Sequence, residues 1–260
     1  MLKILKYSFF DLVRSRWTYI YCAFYMLFTF SLLWLSADLS KVVISLMNVV
    51  LLLCPLIATM FGVMYYYNSR EFTELLLAQP VRRTSIFWGQ YLGVAGSLAA
   101  SWLIGAGLPF LAYGVFQSNQ AGNFFTLLFT GVVLSFTFSG LSFFIALKNE
   151  NRIKGFGLVI LVWLFFAVIY DGLLLLSLSM LNEYPLEKFA LAASLLNPID
   201  LSRILILLKL DVSALMGFTG AVFRKFLGTG WGIAVSLSVL ALWVVLPALG
   251  IRAAAAQKDF

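Results

Sequence analysis

Asp171 is the carboxylate lying well inside an apolar run of this sequence, where an ionised aspartate costs about 2.5–3.5 kcal/mol at a helix centre and must face protein or water. Such a group can relay a proton or a cation, it can serve packing or a dimer contact, or, the run being long, it can sit nearer the outer surface. No second buried charge is evident to pair with it, so a relay built on Asp171 lacks a chain. Met60 and Met64 stand one helical turn apart, a spacing that soft-metal ligands can use, although methionine at helical spacing in apolar sequence packs far more often than it ligates. The stretch 68–83, NSREFTELLLAQPVRR, sits between two apolar runs and is charged. Within it Phe72, Leu75 and Leu76 recur at three-and-four spacing while Arg70, Glu71 and Glu74 occupy other faces, as an interfacial or groove-docking helix requires. Asn68 is placed to cap this helix with Glu71 as the returning acid, Arg70 and Glu74 form an i,i+4 pair, and Pro80 stops it before Arg82 and Arg83.

Absences narrow the chemistry. The chain has no histidine, which excludes bis-histidine haem ligation, histidine-bearing zinc sites and every Ser-His or Cys-His triad. Cys22 and Cys54 lie in separate apolar runs without metal-ligand spacing and read as inert buried thiols. There is no G-x-x-x-x-G-K-[ST] loop, so any ATP energy must come from a partner chain. The expectation is a non-catalytic protein that itself binds no cofactor and no metal.

The elements that must position these residues follow from composition. With 62% hydrophobic and 11% charged residues over 260 positions, and a mean hydropathy of +0.98, the bilayer must be the solvent. Charge-free runs long enough to cross about 30 Å of hydrocarbon as helices lie at 17–36, 42–66, 86–116, 124–147, 155–181 and 231–251. They predict an all-α integral membrane protein with six transmembrane helices in one domain, 1–260. Trp17, Tyr65, Tyr66, Tyr67, Trp88 and Trp231 cluster near run ends, as headgroup-level rings do.

Lys3, Lys6, Arg14 and Arg16 precede the first run; Arg70, Arg82 and Arg83 separate the second from the third; Lys148, Arg152 and Lys154 separate the fourth from the fifth; Arg252 and Lys258 follow the sixth. That bias puts both termini in the cytoplasm. The connection 182–230 also carries cations, but long translocated segments are exempt from the rule, so it reads as external. The first run is longer than a signal-peptide core, which predicts an uncleaved anchor. The net charge of +7 suits anionic lipid rather than nucleic acid.

Leu2, Leu5, Phe9, Leu12 and Val13 share one helical face opposite Lys3, Lys6 and Arg14, so 1–16 should form an interfacial helix flat on the cytoplasmic leaflet. In the external segment, Asn197-Pro198 reads as an N-cap followed by proline at the first helical position, with Asp200 favoured in the first turn and a helix running to about Lys209. Its apolar ILILL core is too short to span, and is expected at the outer interface or under a partner. Gly89-Gly93, Gly96-Ala100 and Ser101-Gly105 permit close helix contact, and Pro55, Pro109 and Pro247 interrupt their spans as hinges or plain packing.

The run YYYNSREFTELLLAQPVRRTSIFWGQYLG (65–93), the external NPIDLSRI (197–204) and GFTGAVFRKFLG (217–228) together resemble ABC-2 type permeases, and more narrowly the permease subunits that serve nitrous oxide reductase maturation. The six-span layout with both termini inside matches across the chain. The resemblance implies a second copy of the chain, two cytosolic ATPase subunits holding ATP and Mg, and a periplasmic copper-handling protein, in a bacterial cytoplasmic membrane. By position, the coupling helix to the ATPase would be 69–79, with Ser69, Arg70, Glu71, Phe72, Glu74, Leu75, Leu76, Arg82 and Arg83 at the contact. Asp200, Arg203, Lys209, Asp211, Arg224 and Lys225 would be candidate contacts for the periplasmic partner. Copper would be handled by the complex, as an exported species or by mechanical work on its carrier. The rival readings are a stand-alone secondary transporter using Asp171, an exporter of another substrate, and a structural anchor for an extracytoplasmic enzyme.

Overall fold

The computed structural model describes residues 2–36, 38–115, 121–180, 187–210, 226, 228 and 230–257. Among these, the elements are all helical: α1 (Leu2–Val13), α2 (Arg16–Leu35), α3 (Leu39–Asn68), α4 (Arg70–Leu77), α5 (Arg83–Ala112), α6 (Ala121–Lys148), α7 (Arg152–Leu164), α8 (Tyr170–Met180), α9 (Glu187–Leu195), α10 (Pro198–Lys209) and α11 (Gly230–Gln257). One π-helical turn, Phe165–Ile169, joins α7 to α8. Among the described residues six helical stretches are long and apolar enough to cross a membrane: α2, α3, α5, α6, α7 continued through α8, and α11. The chain is thus a multi-pass membrane protein.

Several helices overrun the apolar stretches that predicted them. α3 begins at Leu39 and α11 continues to Gln257, because intrahelical hydrogen bonds do not end where side chains turn polar. Asp38 caps α3 by accepting from the Ser40 N–H at 2.9 Å, and Asn151 caps α7 by accepting from the Ile153 N–H at 2.9 Å. Pro55, Pro109 and Pro247 all lie within continuous helices.

α6 is the hub, packing on α3, α5, α10 and α11. Close approach is bought with small residues. A Cβ on Gly131 would collide with the Trp102 indole nitrogen, which instead donates to the Leu128 carbonyl at 3.1 Å. Gly93 of α5 faces Ser8 of α1 at a distance that leaves no room for a Cβ, and Gly89 faces Ile4 so closely that a Cβ would crowd it. The buried face of α1 is therefore covered by α5, while Leu2 and Phe10 remain exposed; a helix pattern reports an apolar face without saying what covers it.

α10 is the larger departure. It does not lie on an outer surface: Ile199, Leu201, Leu205, Ile206 and Leu207 are buried, and the helix packs on α3, α6 and α11. α9 and α10 meet at a bend of 111° around Leu196 and Asn197. Asn197 bonds to Phe166, and Trp243 Nε1 donates to the Leu195 carbonyl at 3.3 Å. Phe166 is about 21 Å of helix from Arg152, and Trp243 about 20 Å from Gly230, so the elbow sits at mid-depth of the bundle. Ile204 and Leu208 then pack beside Leu178 and Leu191, returning α10 toward the end from which α9 entered. The pair is a re-entrant hairpin, tolerated at that depth because the surrounding helices satisfy its exposed backbone.

Candidate functional site

Candidate side chains gather at two levels: the end of the bundle where α1, α4 and the ends of α3 and α5 meet, and the elbow of the re-entrant hairpin.

At the first, α4 follows α3 almost without a break. α3 runs on through Asn68, so Asn68 does not cap α4 as the sequence pattern predicted; Ser69 occupies the junction and makes no side-chain cap hydrogen bond. The Arg70–Glu74 pair forms as expected, at 3.1 Å, with both side chains about half exposed. α4 is fastened on its inner side by Thr73, whose hydroxyl donates to the Ser69 carbonyl at 2.8 Å and accepts from Gln90 Nε2 of α5 at 2.8 Å. Phe72 stacks on Tyr7 of α1, with ring centroids 4.8 Å apart. These contacts turn Phe72 inward and leave Arg70, Glu71, Glu74 and Leu75 outward, with Leu75 69% exposed. Leu76 is half-buried, and Arg82 and Arg83 are exposed beyond the helix end. The apolar stripe read from the sequence is thus divided. One ring anchors the helix to its own chain, while one leucine ringed by charge faces outward. Thr73, Gln90 and Tyr7 were not legible as part of this site, since each makes its contact only through tertiary packing.

At the second level, the π-helical turn changes the hydrogen bonding of the fifth span. The Tyr170 N–H reaches back to the Phe165 carbonyl rather than to Phe166. The Phe166 carbonyl accepts from Asn197 Nδ2 at 2.9 Å, while Asn197 Oδ1 caps α10 by accepting from the Ile199 N–H at 3.0 Å. The predicted Asn-Pro cap is therefore present, and the same side chain also clamps the hairpin to the span. Asn197 Nδ2 donates further to Asp200 Oδ2 at 3.0 Å. Arg203 Nη1 donates to Asp171 Oδ2 at 2.8 Å and to Asp200 Oδ1 at 3.2 Å.

Asp171 therefore has the charged partners that its apolar surroundings in sequence did not disclose. Arg203 lies 32 residues away and reaches it only because the hairpin dips into the bundle. Along the fifth span Gly155 and Val159 are the buried residues of α7, and neither the π-helical turn nor α8 has any, while Asp171 and Arg203 retain side-chain exposures of 29% and 37%. Asp200, proposed from sequence as a partner contact, is nearly buried, and it meets Arg203 and Asn197 instead. Lys209, at the end of α10, is exposed. Asp211, Arg224 and Lys225 lie outside the described residues.

The remaining candidates do not converge. Met60 is 38% exposed and Met64 lines a cavity beside α1. Cys54 is buried and bonded to Ser135 and Gly131, while Cys22 sits on a different helix. Among the described residues no group of three or more His, Cys, Asp or Glu side chains forms a metal-binding cluster.

No protein-family profile matches the chain. It is 27% identical over 224 residues to a Pseudomonas aeruginosa protein named "Probable ABC transporter permease protein NosY", covering 80% of this chain and 81% of that one. It is 26% identical over 212 residues to a Stutzerimonas stutzeri protein of the same name, covering 75% and 76% of the two chains. The chain thus has six membrane-length helices among the described residues, and it is similar along three quarters or more of its length to two proteins named as probable ABC transporter permeases.

Proposed function

We propose that the chain is the membrane-spanning, non-catalytic permease subunit of an ATP-driven ABC transporter in a bacterial cytoplasmic membrane, with both termini in the cytoplasm. It acts as a homodimer, and two cytosolic ATPase subunits, which hold ATP and Mg, dock on it. The observation that carries this reading is the outward face of α4. Glu71, Leu75 and the Arg70–Glu74 pair are exposed toward a partner, while Thr73, Gln90, Phe72 and Tyr7 bolt the helix to α5 and α1. A load applied to α4 would thus pass directly into two neighbouring helices. The work serves maturation of the copper sites of nitrous oxide reductase, through export or by moving a periplasmic copper-handling protein. That partner would meet the end of the hairpin around Lys209 and the segment carrying Asp211, Arg224 and Lys225. The second copy is expected on the little-buried fifth span, where partly exposed Asp171 and Arg203 favour a protein neighbour over lipid.

Replacing Glu71 by Lys together with Leu75 by Asp reverses charge and adds polarity on the outward face without touching the anchoring side. The double variant should insert and purify normally yet lose the ATPase subunit in a detergent pull-down read by mass spectrometry. Full retention of the ATPase would sink the docking assignment. A second reading, a secondary transporter using Asp171, draws support from the Asp171–Arg203–Asp200 cluster. Loss of transport in Asp171→Asn, with ATPase assembly intact and ATP hydrolysis uncoupled from the loss, would favour it.

A further inference from the structure

Between α1, the end of α3 and α4 lies a cavity of about 480 Å³, within the range of roughly 300–1,000 Å³ typical of small-molecule sites. Its walls differ in kind. Leu12, Phe61, Met64 and Phe72 form an apolar side, and Asp11, Arg14, Ser15, Asn68 and Ser69 a polar one. The polar groups sit where spans end: Ser15 immediately precedes α2, and Asn68 closes α3. Phe61 lies about 10 Å of helix deeper than Asn68, at the depth where headgroups give way to acyl chains, and Met60 beside it is exposed on the same helix. A polar rim at headgroup level above an apolar wall has the profile of a phospholipid.

The charges select among phospholipids. Asp11 in the last turn of α1 and Arg14 just beyond its end both line the cavity, and among the described residues neither forms a salt bridge with the other or with any further group. Two unpaired charges of opposite sign facing one cavity complement a ligand that carries both. Lys3 and Lys6 line an adjoining groove that shares Tyr7, Asp11 and Arg14 with the cavity, and there they add a general attraction to the phosphate of any lipid. We infer that the cavity between α1, α3 and α4 binds a zwitterionic phospholipid whose headgroup ends in a primary ammonium. Arg14, with Ser15 and Ser69, receives the phosphate, Asp11 receives the ammonium, and an acyl chain follows Met64 and Phe61 along α3. Because Tyr7 and Phe72 also line this cavity and stack on each other, the bound lipid props the joint between α1 and α4. The inference does not depend on an ATPase docking at α4.

The test is native mass spectrometry of the full chain, purified in detergent and exposed to equimolar phosphatidylethanolamine, phosphatidylcholine and phosphatidylglycerol. Wild type should retain phosphatidylethanolamine several-fold over phosphatidylcholine, which shares the phosphate but presents no N–H, and over phosphatidylglycerol, which lacks the cation. Asp11→Asn should abolish the preference for ethanolamine over choline while leaving total bound lipid nearly unchanged. Arg14→Gln should lower retention of both. Both side chains are exposed, so neither variant is expected to disturb folding, and an unchanged thermal midpoint in detergent checks that. Equal retention of the lipids by wild type, a dominant preference for phosphatidylglycerol, or persistence of the ethanolamine preference in Asp11→Asn would each overturn the assignment.

Discussion

The outer face of α4 and the elbow of the α9–α10 hairpin both carry acids and an arginine in close pairs, yet the pairs are of different kinds. Arg70 and Glu74 meet at 3.1 Å with about half of each side chain in solvent, on one short helix. Arg203 meets Asp171 and Asp200 at 2.8 and 3.2 Å across two elements, with Asp200 nearly buried and Asn197 taking up its remaining oxygen. An exposed pair exchanges water for a partner at little net gain, so its charges are free to serve another protein. A cluster drawn out of water is committed. Each member is held by the others, and removing one leaves the rest uncompensated.

The sharpest way to break that contrast is Arg203→Ala, which leaves two carboxylates facing each other at membrane depth. Allowing for the partial exposure of Arg203 and Asp171, a loss of about 2–3 kcal/mol is expected, seen as a lowered thermal midpoint in detergent. Combining it with Asp171→Asn and Asp200→Asn should recover much of the loss. A wild-type midpoint for the single variant would mean the cluster is solvated and the contrast false. Next in size is Asn197→Ala, which removes the α10 cap and the clamp on Phe166 together, at about 1–2 kcal/mol. Proteolysis within 187–210 should quicken in that variant if the elbow is held as described.

On the α4 side, Gln90→Leu takes away the donor to Thr73 and should cost about 1 kcal/mol while weakening retention of an ATPase subunit, since the helix loses its tie to α5. Unchanged retention would show that Tyr7 and Phe72 suffice to hold α4. The smallest effect belongs to Arg70→Ala, within about 0.5 kcal/mol in the same thermal assay. A larger penalty there would put the exposed pair in the same class as the buried cluster.

How much of this was legible from residue order varies with the range of the interaction. The Arg70–Glu74 pair and the Asn197 cap were readable because each lies within one turn of helix, where spacing alone brings side chains together. Asn68 as a cap was misread, since the backbone continued α3 through it and passed the junction to Ser69. Asp171 looked solitary because its partner comes from another element, and nothing in the fifth span marks where a π-helical turn will redirect a carbonyl toward Asn197.

By itself, the sequence determined that this is a helical membrane protein with six bilayer-length runs, a short charged helix after the second and an amphipathic helix before the first. Hydrocarbon thickness and helical periodicity act on local composition, and composition is all they require. Tertiary structure alone decided that α1 rests in the glycine groove of α5, that Phe72 faces inward while Leu75 faces out, and that α10 folds back into the bundle. The physical reason is that an apolar face is equally content against lipid, a partner or its own chain, and only the packed shapes of the neighbouring helices choose among them.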